Sequence, residues 1–599
     1  MTRLCRVLLS GLFLFALTCP ASLQALENNA ATVTLVMKSL SNPFFIQMEQ
    51  GAKGYAGENE FPLEVFGIKN PTDVALQISI VENLISRNYG AIVIAPADSE
   101  KLIPVCKKAV EKGIVVINID NPLNRETLKS HGLTIPFVGS DNRTGGHMMG
   151  EYVKRRLNSR GKVVIIEGIR GVENAELRKR GFTEAVTEDS HIEIIASESA
   201  FWNTEQAFSL TMSLLEKHPR VDAIFCANDK MALGVLQALD LLNRKNIMVA
   251  GYDNIESVRH AIRIGKMCAT MEQHPELMGE YGVMLAWKKL NGHNIPNTMS
   301  TPLDLITREH FNKKIGFSVS DLENPFFASM IKGAKKEAAL YGMTLSISDA
   351  GNNDSQQLMD IVNFQNQQID AIIVNPTNAE TIIPGIDMAR VKNIPVITVD
   401  RKISGGKILS HVASDNIQGG RMAAGIIAAH LNNRGRVVEM EGIPGTSAAH
   451  DRGLGFNDEL KTYPDITIVA REAVNFDRTQ AGQLMERLHN KGIEFDAVFA
   501  HNDAMILGAM DVLTRKNALD SKVMVGFDAI KEAVKAVKDK KITATIAQQP
   551  QKMGQLSIRT MALFFRGDKI EPVIPVSLSP VSLSKYPRQE GPIAPDHQQ

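Results

Sequence analysis

Residues 314–341 read KIGFSVSDLENPFFASMIKGAKKEAALY, and this stretch decides the fold. The run Lys314–Val319 is short, largely apolar and rich in residues that favour strands, so it predicts a strand. After a polar turn, Asn324 precedes a proline, a pair that favours a helix start because asparagine caps a helix and proline tolerates its first turn. We therefore predict a helix over Pro325–Tyr341 and, with the strand, the first half of a βαβ unit.

Short apolar runs alternate with helical patterns through the rest of this half. The predicted elements are strand Thr344–Ser348, helix Ser355–Asn366, strand Ala371–Val374, helix Ala379–Val391, strand Pro395–Val399 and, in a second series, strands Arg436–Met440, Thr467–Ala470 and Ala497–Ala500. Such an alternation is typical of parallel sheets covered by helices on both faces. The two series predict two α/β lobes, each with a doubly wound parallel sheet.

The chain also repeats itself. Asn42-Pro43-Phe44-Phe45 recurs about 280 positions later as Asn324-Pro325-Phe326-Phe327. The other repeated pairs are Ser140-Asp141-Asn142 with Ser414-Asp415-Asn416, Asn228-Asp229 with Asn502-Asp503, Gly251-Tyr252-Asp253 with Gly526-Phe527-Asp528, and Gln273 with Gln548. This period is too long for a solenoid repeat, so it indicates a duplicated domain. We predict domain 1 over residues 26–308 and domain 2 over residues 309–599.

The first 25 residues differ from the rest. Arg3 and Arg6 precede the apolar run Val7–Leu17, and a small-residue site ends at Ala25, which is the pattern of a secretory signal peptide. A retained anchor, or a lipid-anchored start at Cys19, is the alternative. We expect cleavage after Ala25 and a periplasmic mature protein. No later run has the roughly 18 apolar residues that a membrane span requires.

The composition excludes several function classes. Lys plus Arg equals Asp plus Glu at 66 each, so the balanced charge gives no sign of a nucleic-acid or anionic-membrane partner. The mature cysteines, Cys106, Cys226 and Cys268, are odd in number and form no CxxC pair. Together with the lack of a His/Cys cluster, this predicts no disulfide framework, no metal and no cofactor.

Polar side chains follow the predicted strands of domain 2, where doubly wound sheets bind ligands. They are Asn324, Asn375, Asp400, Arg401, Asn502, Asp528 and Gln548, and aromatic faces come from Phe326, Phe327, Phe476 and Phe527. Taken singly, an asparagine or aspartate at such a place is often only a helix cap. Together they offer the donors and acceptors that sugar hydroxyls need and the apolar faces that suit a sugar ring. We therefore predict a sugar site between the two lobes.

These residues resemble the periplasmic sugar-binding proteins of ABC import systems, type I, ribose-binding branch, along almost all of both halves. The motifs that carry the resemblance are Asn324-Pro325-Phe326-Phe327, Val399-Asp400-Arg401, Gly445 through Arg452, Asn475-Phe476-Asp477-Arg478 and Gly526-Phe527-Asp528. The resemblance implies lobes joined by a hinge, ribose as the ligand of domain 2, and Arg452 as a further ligand-binding residue. It also implies that Asp400, Arg401, Arg452 and Asp528 hold ring and anomeric hydroxyls, while the phenylalanines clamp the ring.

By the same resemblance, domain 1 keeps part of the pattern. Its candidate site residues are Asn42, Phe44, Phe45, Asp120, Asn121, Arg178, Trp202, Asn228, Asp253 and Gln273. Trp202 stands where domain 2 has Phe476, Ala95 replaces Asn375, and Asn121 replaces Arg401. Because the loss of a guanidinium fork changes which hydroxyls are matched, we predict a different sugar or polyol for domain 1. An inactive first site is the alternative.

The predicted function is to capture a sugar by hinge closure and to deliver it to an ABC permease, which recognises the closed form. A sensor that presents its closed form to a chemoreceptor or a membrane histidine kinase is the alternative. A sugar-responsive repressor would need an N-terminal helix-turn-helix, where this chain has the signal-peptide pattern. Asp400 and Asp528 could in principle serve a glycosidase, but no nucleophile with an adjacent base is evident, so we predict no enzyme activity.

Overall fold

The computed structural model describes residues 29–583, and the predicted signal peptide over residues 1–25 lies outside them. The chain divides between Ile306 and Thr307 into two compact units, called domain 1 and domain 2, which we describe separately. Each domain contains two six-stranded sheets covered by helices. This confirms the predicted class, two tandem α/β domains of two lobes each. Within residues 29–583, no helix is long and apolar enough to cross a membrane.

Domain 1 alternates strands and helices along the chain. Its strands are β1 (Val33–Met37), β2 (Leu63–Gly67), β3 (Ala91–Ile94), β4 (Val115–Ile119), β5 (Phe137–Gly139), β6 (Arg160–Glu167), β7 (His191–Ser199), β8 (Ala223–Cys226), β9 (Met248–Ala250), β10 (Ala269–Glu272), β11 (Thr298–Ser300) and β12 (Asp304–Thr307). Its α-helices are α1 (Pro43–Glu58), α2 (Val74–Ser86), α3 (Ile103–Glu111), α4 (Arg125–Ser130), α5 (Asn142–Arg156), α6 (Glu173–Thr187), α7 (Thr204–Lys217), α8 (Asp229–Leu241), α9 (Glu256–Arg263) and α10 (Pro275–Leu290). The N-lobe sheet has the order β11-β5-β4-β3-β1-β2, and the C-lobe sheet has the order β12-β10-β9-β8-β6-β7.

Domain 2 repeats this plan. Its strands are β13 (Lys314–Val319), β14 (Thr344–Asp349), β15 (Ala371–Val374), β16 (Val396–Val399), β17 (Ser410–Ser414), β18 (Arg434–Glu441), β19 (Asp465–Ala473), β20 (Ala497–Ala500), β21 (Val523–Asp528), β22 (Ala544–Ala547), β23 (Val573–Val576) and β24 (Ser579–Ser582). Its α-helices are α11 (Pro325–Leu340), α12 (Asp354–Asn366), α13 (Ile383–Val391), α14 (Asn416–His430), α15 (Ser447–Leu460), α16 (Arg478–Asn490), α17 (Asp503–Arg515), α18 (Lys531–Lys538) and α19 (Pro550–Arg566). The N-lobe sheet has the order β14-β13-β15-β16-β17-β23, and the C-lobe sheet has the order β19-β18-β20-β21-β22-β24.

The path of the chain couples the two lobes of each domain. In domain 2 the chain passes between lobes after β17, after β22 and again between β23 and β24. The sheet pairs are parallel except that β24 runs antiparallel to β22 at the edge of the C-lobe sheet. Because parallel strands end at the same edge of a sheet, the polar residues that follow β13, β15 and β16 lie at one end of the N-lobe.

Most predicted element boundaries agree with the structure to within two residues, and two elements, α13 and β19, differ by more. Helix α13 begins at Ile383 instead of Ala379, because the Asn378 side chain accepts hydrogen bonds from the backbone N–H groups of Glu380 and Thr381 at 2.9 and 3.3 Å and holds a turn there. Strand β19 extends well beyond the predicted Thr467–Ala470. It lies at a sheet edge, and many of its residues are exposed and polar. The continuous apolar run that identifies a central strand is therefore missing from its ends.

Glycines let the first two helices of each C-lobe touch backbone to backbone. A Cβ on Gly420 of α14 would lie 2.1 Å from the carbonyl oxygen of Arg452 on α15, and one on Gly455 of α15 would lie 1.9 Å from that of Ile417 on α14. In domain 1, a Cβ on Gly146 of α5 would likewise lie 2.3 Å from the carbonyl oxygen of Arg178 on α6. This contact fixes the helix that carries the arginine.

We expect Gly420→Ala to destabilise domain 2 by about 2 kcal/mol, because the added methyl group must push α14 and α15 apart. Calorimetric unfolding of the full chain should show the corresponding transition lowered by roughly 4–8 °C. Gly482→Ala on α16 is the matched control, since the nearest atoms to its Cβ would lie 3.5 Å away. That variant should be neutral or slightly stabilising. Equal behaviour of the two variants would contradict the close packing of α14 on α15.

Candidate functional site

Domain 2 has a cavity of about 260 Å³ between its two lobes, called site 2. The N-lobe contributes Asn324, Phe326, Phe327, Asp400 and Arg401, and the C-lobe side contributes Ala448, Arg452, Phe476, Asn502, Asp528 and Gln548. Ten of the twelve residues proposed from the sequence for this site therefore meet at one cavity. Most of them come from strand ends and helix starts.

Two asparagines of site 2 also cap helices. The Oδ1 atom of Asn324 accepts a hydrogen bond from the backbone N–H of Phe326 at 3.0 Å, and that of Asn502 accepts one from Met505 at 3.0 Å. Both asparagines therefore have the helix-capping role that the sequence indicates for such residues. It leaves the amide NH₂ groups for other partners, because each cap uses only the side-chain oxygen.

The aromatic wall of site 2 is held in a constrained backbone conformation. Phe476 has a φ of 60°, which is rare for a bulky residue. Its ring packs against Gly442, where a Cβ would lie 2.0 Å from the ring. Domain 1 repeats the arrangement with Trp202, at a φ of 62°, against Gly168. The glycine makes room for the ring in both domains.

Arg452 is buried and held on several sides. Its Nε donates to Asn416 Oδ1 at 2.9 Å, and its Nη1 donates to the carbonyl oxygen of His501 at 2.5 Å. The guanidinium carbon lies 3.8 Å from the centre of the Phe527 ring, and Nη1 lies 3.7 Å from Asp528 Oδ1. The side chain therefore cannot swing freely, and its position is set before any ligand binds.

The second cation of site 2 is Arg401. Its Nη1 donates to the carbonyl oxygen of Pro376 at 3.2 Å, and its guanidinium carbon lies 5.3 Å from the ring centre of Phe327 and 5.7 Å from that of Phe476. Its Nε is 3.9 Å from Asp400 Oδ2, an ion pair without a hydrogen bond. These contacts orient the planar group between two rings at the cavity wall.

Three buried polar atoms of site 2 have no hydrogen-bond partner among the described residues. They are Asp400 Oδ1, Arg401 Nε and Gln548 Oε1. Buried polar groups are almost always paired, and an unpaired one costs roughly 1–3 kcal/mol. One donor and two acceptors at one cavity are thus available to a ligand that carries hydroxyl groups.

Burial governs the ionisation of site 2. It raises the pKa of Asp528 to about 7, with Arg452 opposing that rise, and it also raises the pKa of Asp400 against the pull of Arg401 and Arg452. Burial lowers the pKa of both arginines. The two carboxyls and two guanidinium groups therefore balance in charge only when both carboxyls are ionised.

Domain 1 has a corresponding cavity of about 550 Å³, called site 1. Its walls are Lys38, Ser39, Ser41, Asn42, Phe44, Phe45, Lys69, Pro71, Asp120, Asn174, Arg178, Trp202, Asn228, Lys230 and Asp253. Arg178 is held as Arg452 is. Its Nε donates to Asn142 Oδ1 at 2.7 Å, its Nη1 donates to the Ala227 carbonyl oxygen at 2.8 Å, and its guanidinium carbon lies 3.9 Å from the centre of the Tyr252 ring. Burial raises the pKa of Asp253 to about 7.

The sequence profile of the periplasmic binding protein domain matches residues 33–294 and 315–569, once in each domain. The chain belongs to the periplasmic binding protein family. The D-ribose/D-allose-binding protein of Pseudomonas aeruginosa is 40% identical over 282 residues, which are 46% of this chain and 88% of that protein. The ribose import binding protein of Bacillus subtilis is 40% identical over 270 residues, which are 45% of this chain and 87% of that protein.

Solved structures match this binding protein over about half of the chain. One is an ABC transporter periplasmic solute binding protein from Actinobacillus succinogenes with bound D-allose. It is 34% identical, covers 46% of this chain and 98% of the solved chain, and has a TM-score of 0.45. The two curated relatives cover 46% and 45% of this chain, so each corresponds in length to one domain, as expected for a tandem duplication.

Four residues proposed from the sequence lie behind the cavities of this binding protein. Asn375 supports Asp400 through a hydrogen bond to Oδ2 at 3.3 Å, and Phe527 lies beneath Arg452. In domain 1, Gln273 accepts a hydrogen bond from Arg178 at 3.0 Å and donates one to Asp253 at 2.8 Å. The Asn121 side chain does not line site 1, and its amide donates to the carbonyl oxygen of Pro96 at 3.1 Å. In each case contacts within the domain already occupy the side chain.

Lys38 is the main site residue that the sequence reasoning missed. Its Nζ lies 2.8 Å from Asp120 Oδ2, and the residue is only 8% exposed. It therefore supplies from the end of β1 the cation that Arg401 supplies to Asp400 in domain 2. Lys38 therefore offsets the positive charge that domain 1 loses by having Asn121 where domain 2 has Arg401. A lysine that directly follows the buried run of β1 was the available signal, because lysine is almost never buried without a partner.

We expect Lys38→Met to destabilise domain 1 by about 3 kcal/mol, because it leaves Asp120 buried without its cation. The double variant Lys38→Met/Asp120→Asn should recover much of that loss, since it removes both charges. Both tryptophans, Trp202 and Trp287, belong to domain 1, so tryptophan fluorescence during denaturant unfolding reports on this domain. Lys112→Met, at an exposed position of the same lobe, is the control. Additive effects in the double variant would contradict the ion pair.

Proposed function

We propose that each domain of this binding protein captures one sugar molecule, and that domain 2 binds ribose or a similar pentose. The observation that carries the proposal is site 2, where ion-paired aspartates and arginines from both lobes surround a cavity and leave buried polar atoms without partners. A sugar hydroxyl both donates and accepts, so it can satisfy Arg401 Nε as well as the oxygens of Asp400 and Gln548.

The shape of site 2 supports a compact ring. Phe326, Phe327 and Phe476 present apolar surface, and the cavity is about 260 Å³. Aromatic rings cover the apolar faces of a sugar without leaving a polar group unpaired. The relatives named for ribose and for D-ribose/D-allose agree with this ligand class.

We propose a different sugar or polyol for domain 1. Its cavity keeps the aspartates and the buried arginine, but Lys38 takes the role of Arg401 and Asn174 stands where domain 2 has Ala448. An ammonium is a compact charge with three donors, whereas a guanidinium is a planar fork, so the two match different hydroxyl arrangements. Asn174 also brings a buried oxygen without a hydrogen-bond partner among the described residues.

In the proposed mechanism, the ligand stabilises the closed form of each domain because it contacts both lobes at once. The three passages of the chain between the lobes form the hinge. A membrane permease of an ABC importer then receives the sugar from the closed form, in the periplasm. The names of the ribose import relatives support this partner.

Paired arginine variants of the full chain assign each site. We expect wild-type protein to bind D-ribose at site 2, and Arg452→Ala to weaken that binding by about a hundredfold or more, because the variant leaves Asp528 without its cation. Arg178→Ala should leave ribose binding intact, because it alters site 1. Arg515→Ala, on the surface of the C-lobe, is a further control. Titration calorimetry with pentoses, hexoses and polyols measures both affinity and stoichiometry. Unchanged ribose affinity in Arg452→Ala would contradict the assignment of ribose to site 2.

Ribose binding at site 2 should release protons near neutral pH. Asp528 has a pKa raised to about 7 in the ligand-free domain, and a sugar hydroxyl that donates to its carboxylate stabilises the ionised form. The affinity should therefore rise by about tenfold between pH 6 and pH 8 and then level off. Calorimetry of Arg178→Ala in buffers of different ionisation enthalpy reports the proton count. Proton uptake, or an affinity that does not change with pH, would contradict the contact.

A further inference from the structure

Three lysines surround site 1 at positions where domain 2 has no cation. Lys38 lies four residues before Asn42, at the place that Ser320 holds before Asn324. Lys69 lies two residues after β2, as Gly351 lies two residues after β14. Lys230 follows Asn228-Asp229, where Ala504 follows Asn502-Asp503. All three lysines line the cavity.

The loop after the first strand also loses its acids in domain 1. Asp321 and Glu323 of domain 2 are replaced by Ser39 and Ser41, and both serines line site 1. Asp321 is close enough to Arg401 to raise its pKa against the effect of burial. Domain 1 therefore has three lysines and no acid at positions where domain 2 has two acids and no lysine.

The two sites differ in their charge balance after internal pairing. In site 1, Lys38 pairs with Asp120 at 2.8 Å and Arg178 with Asp253 at 3.4 Å. Lys69 is exposed and Lys230 is half-buried, and neither makes an ion pair with another described residue, so both add positive charge to the wall of site 1. In site 2 the two lining aspartates equal the two lining arginines in number, with no further cation. Such a surplus in a cleft favours an anionic ligand.

We propose that site 1 binds an anionic sugar, with a carboxylate or phosphate group held between Lys69 of the N-lobe and Lys230 of the C-lobe. The inference rests on the proposed function of the domains as sugar-binding units and names the ligand class of one of them. The hydroxyl groups contact Asp120, Asp253 and Arg178. Site 1 has about 550 Å³ of empty space against about 260 Å³ in site 2, part of it open to solvent in each, and the larger space can accept the additional group.

The anionic group also contributes to closure. Lys69 lies on the loop after β2, whereas Lys230 lies in the first turn of α8, so the two ammonium groups approach the ligand from opposite lobes. An anionic group that reaches both ammonium groups pairs with one charge from each lobe, so it stabilises the closed form relative to the open one.

The distribution of tryptophan provides a reporter for site 1 alone. The chain has two tryptophans, and both belong to domain 1. Trp202 lines site 1, whereas Trp287 stacks on Phe61 with ring centres 4.5 Å apart. Site 2 has Phe476 at the corresponding place. In the Trp287→Phe variant, a ligand-dependent change in tryptophan fluorescence therefore reports occupancy of site 1.

The experiment titrates the full-length Trp287→Phe protein with D-ribose, D-ribonate, D-glucuronate, D-ribose phosphate and inorganic phosphate. We expect a saturable Trp202 signal with a sugar carboxylate or the sugar phosphate, and weaker binding at higher salt. Lys69→Ala/Lys230→Ala should weaken this binding by about tenfold. Lys112→Ala/Lys217→Ala, with one exposed lysine on each lobe and neither at the cavity, should leave it unchanged.

Several results would overturn the inference. These are a saturable signal from a neutral sugar with no competition by the anions, no signal from any ligand, equal affinity for inorganic phosphate alone, and an unaltered affinity in Lys69→Ala/Lys230→Ala. A failure of the proposed function looks different, because in that case D-ribose would show no calorimetric binding that Arg452→Ala abolishes. Carboxylate and phosphate ligands are told apart by which of them saturates at the lower concentration.

Discussion

A buried arginine in the C-lobe organises each site. Taking a guanidinium out of water costs several kcal/mol, which must be recovered by contacts. Arg452 recovers that cost through Asn416, the His501 carbonyl oxygen, the Phe527 ring and the carboxylate of Asp528. Because the backbones of α14 and α15 touch at Gly420, the arginine has little freedom to relax. Asp528 and the amides of Asn502 and Gln548 line the cavity around this firmly held group.

The two domains use different cations to pair with the same buried aspartate. Each has an aspartate after the fourth strand of its N-lobe, Asp120 or Asp400, with a φ of 63°. In domain 2 the neighbouring Arg401 supplies the cation, whereas in domain 1 Lys38 reaches it from the end of β1. Strands β1 and β4 flank β3 in the sheet, so their ends lie close enough for this exchange. The common sheet therefore permits a change of binding chemistry without a change of fold.

Much of the fold could be predicted because short apolar strands and capped helices are local signals. Helix α13 shows the limit, since the turn at Asn378 looks helical until its side-chain contacts are known. The sequence also located the residues at the strand ends. It could not separate those that face a cavity from those behind it, as Asn375 and Phe527 show, because depth depends on packing between elements. The role of Lys38 could not be predicted because its partner, Asp120, is distant in the sequence.

The exchange of Arg401 for Lys38 constrains how one duplicated copy can diverge from the other. Starting from an arginine beside the aspartate, losing it first isolates a buried carboxylate, and gaining the lysine first crowds two cations around one acid. Either order passes through an unbalanced intermediate, so the two changes depend on each other. A duplicated gene can tolerate such an intermediate, because the other copy keeps its own aspartate–cation pair intact. Tandem duplication therefore permits the two domains to hold the same aspartate with different cations.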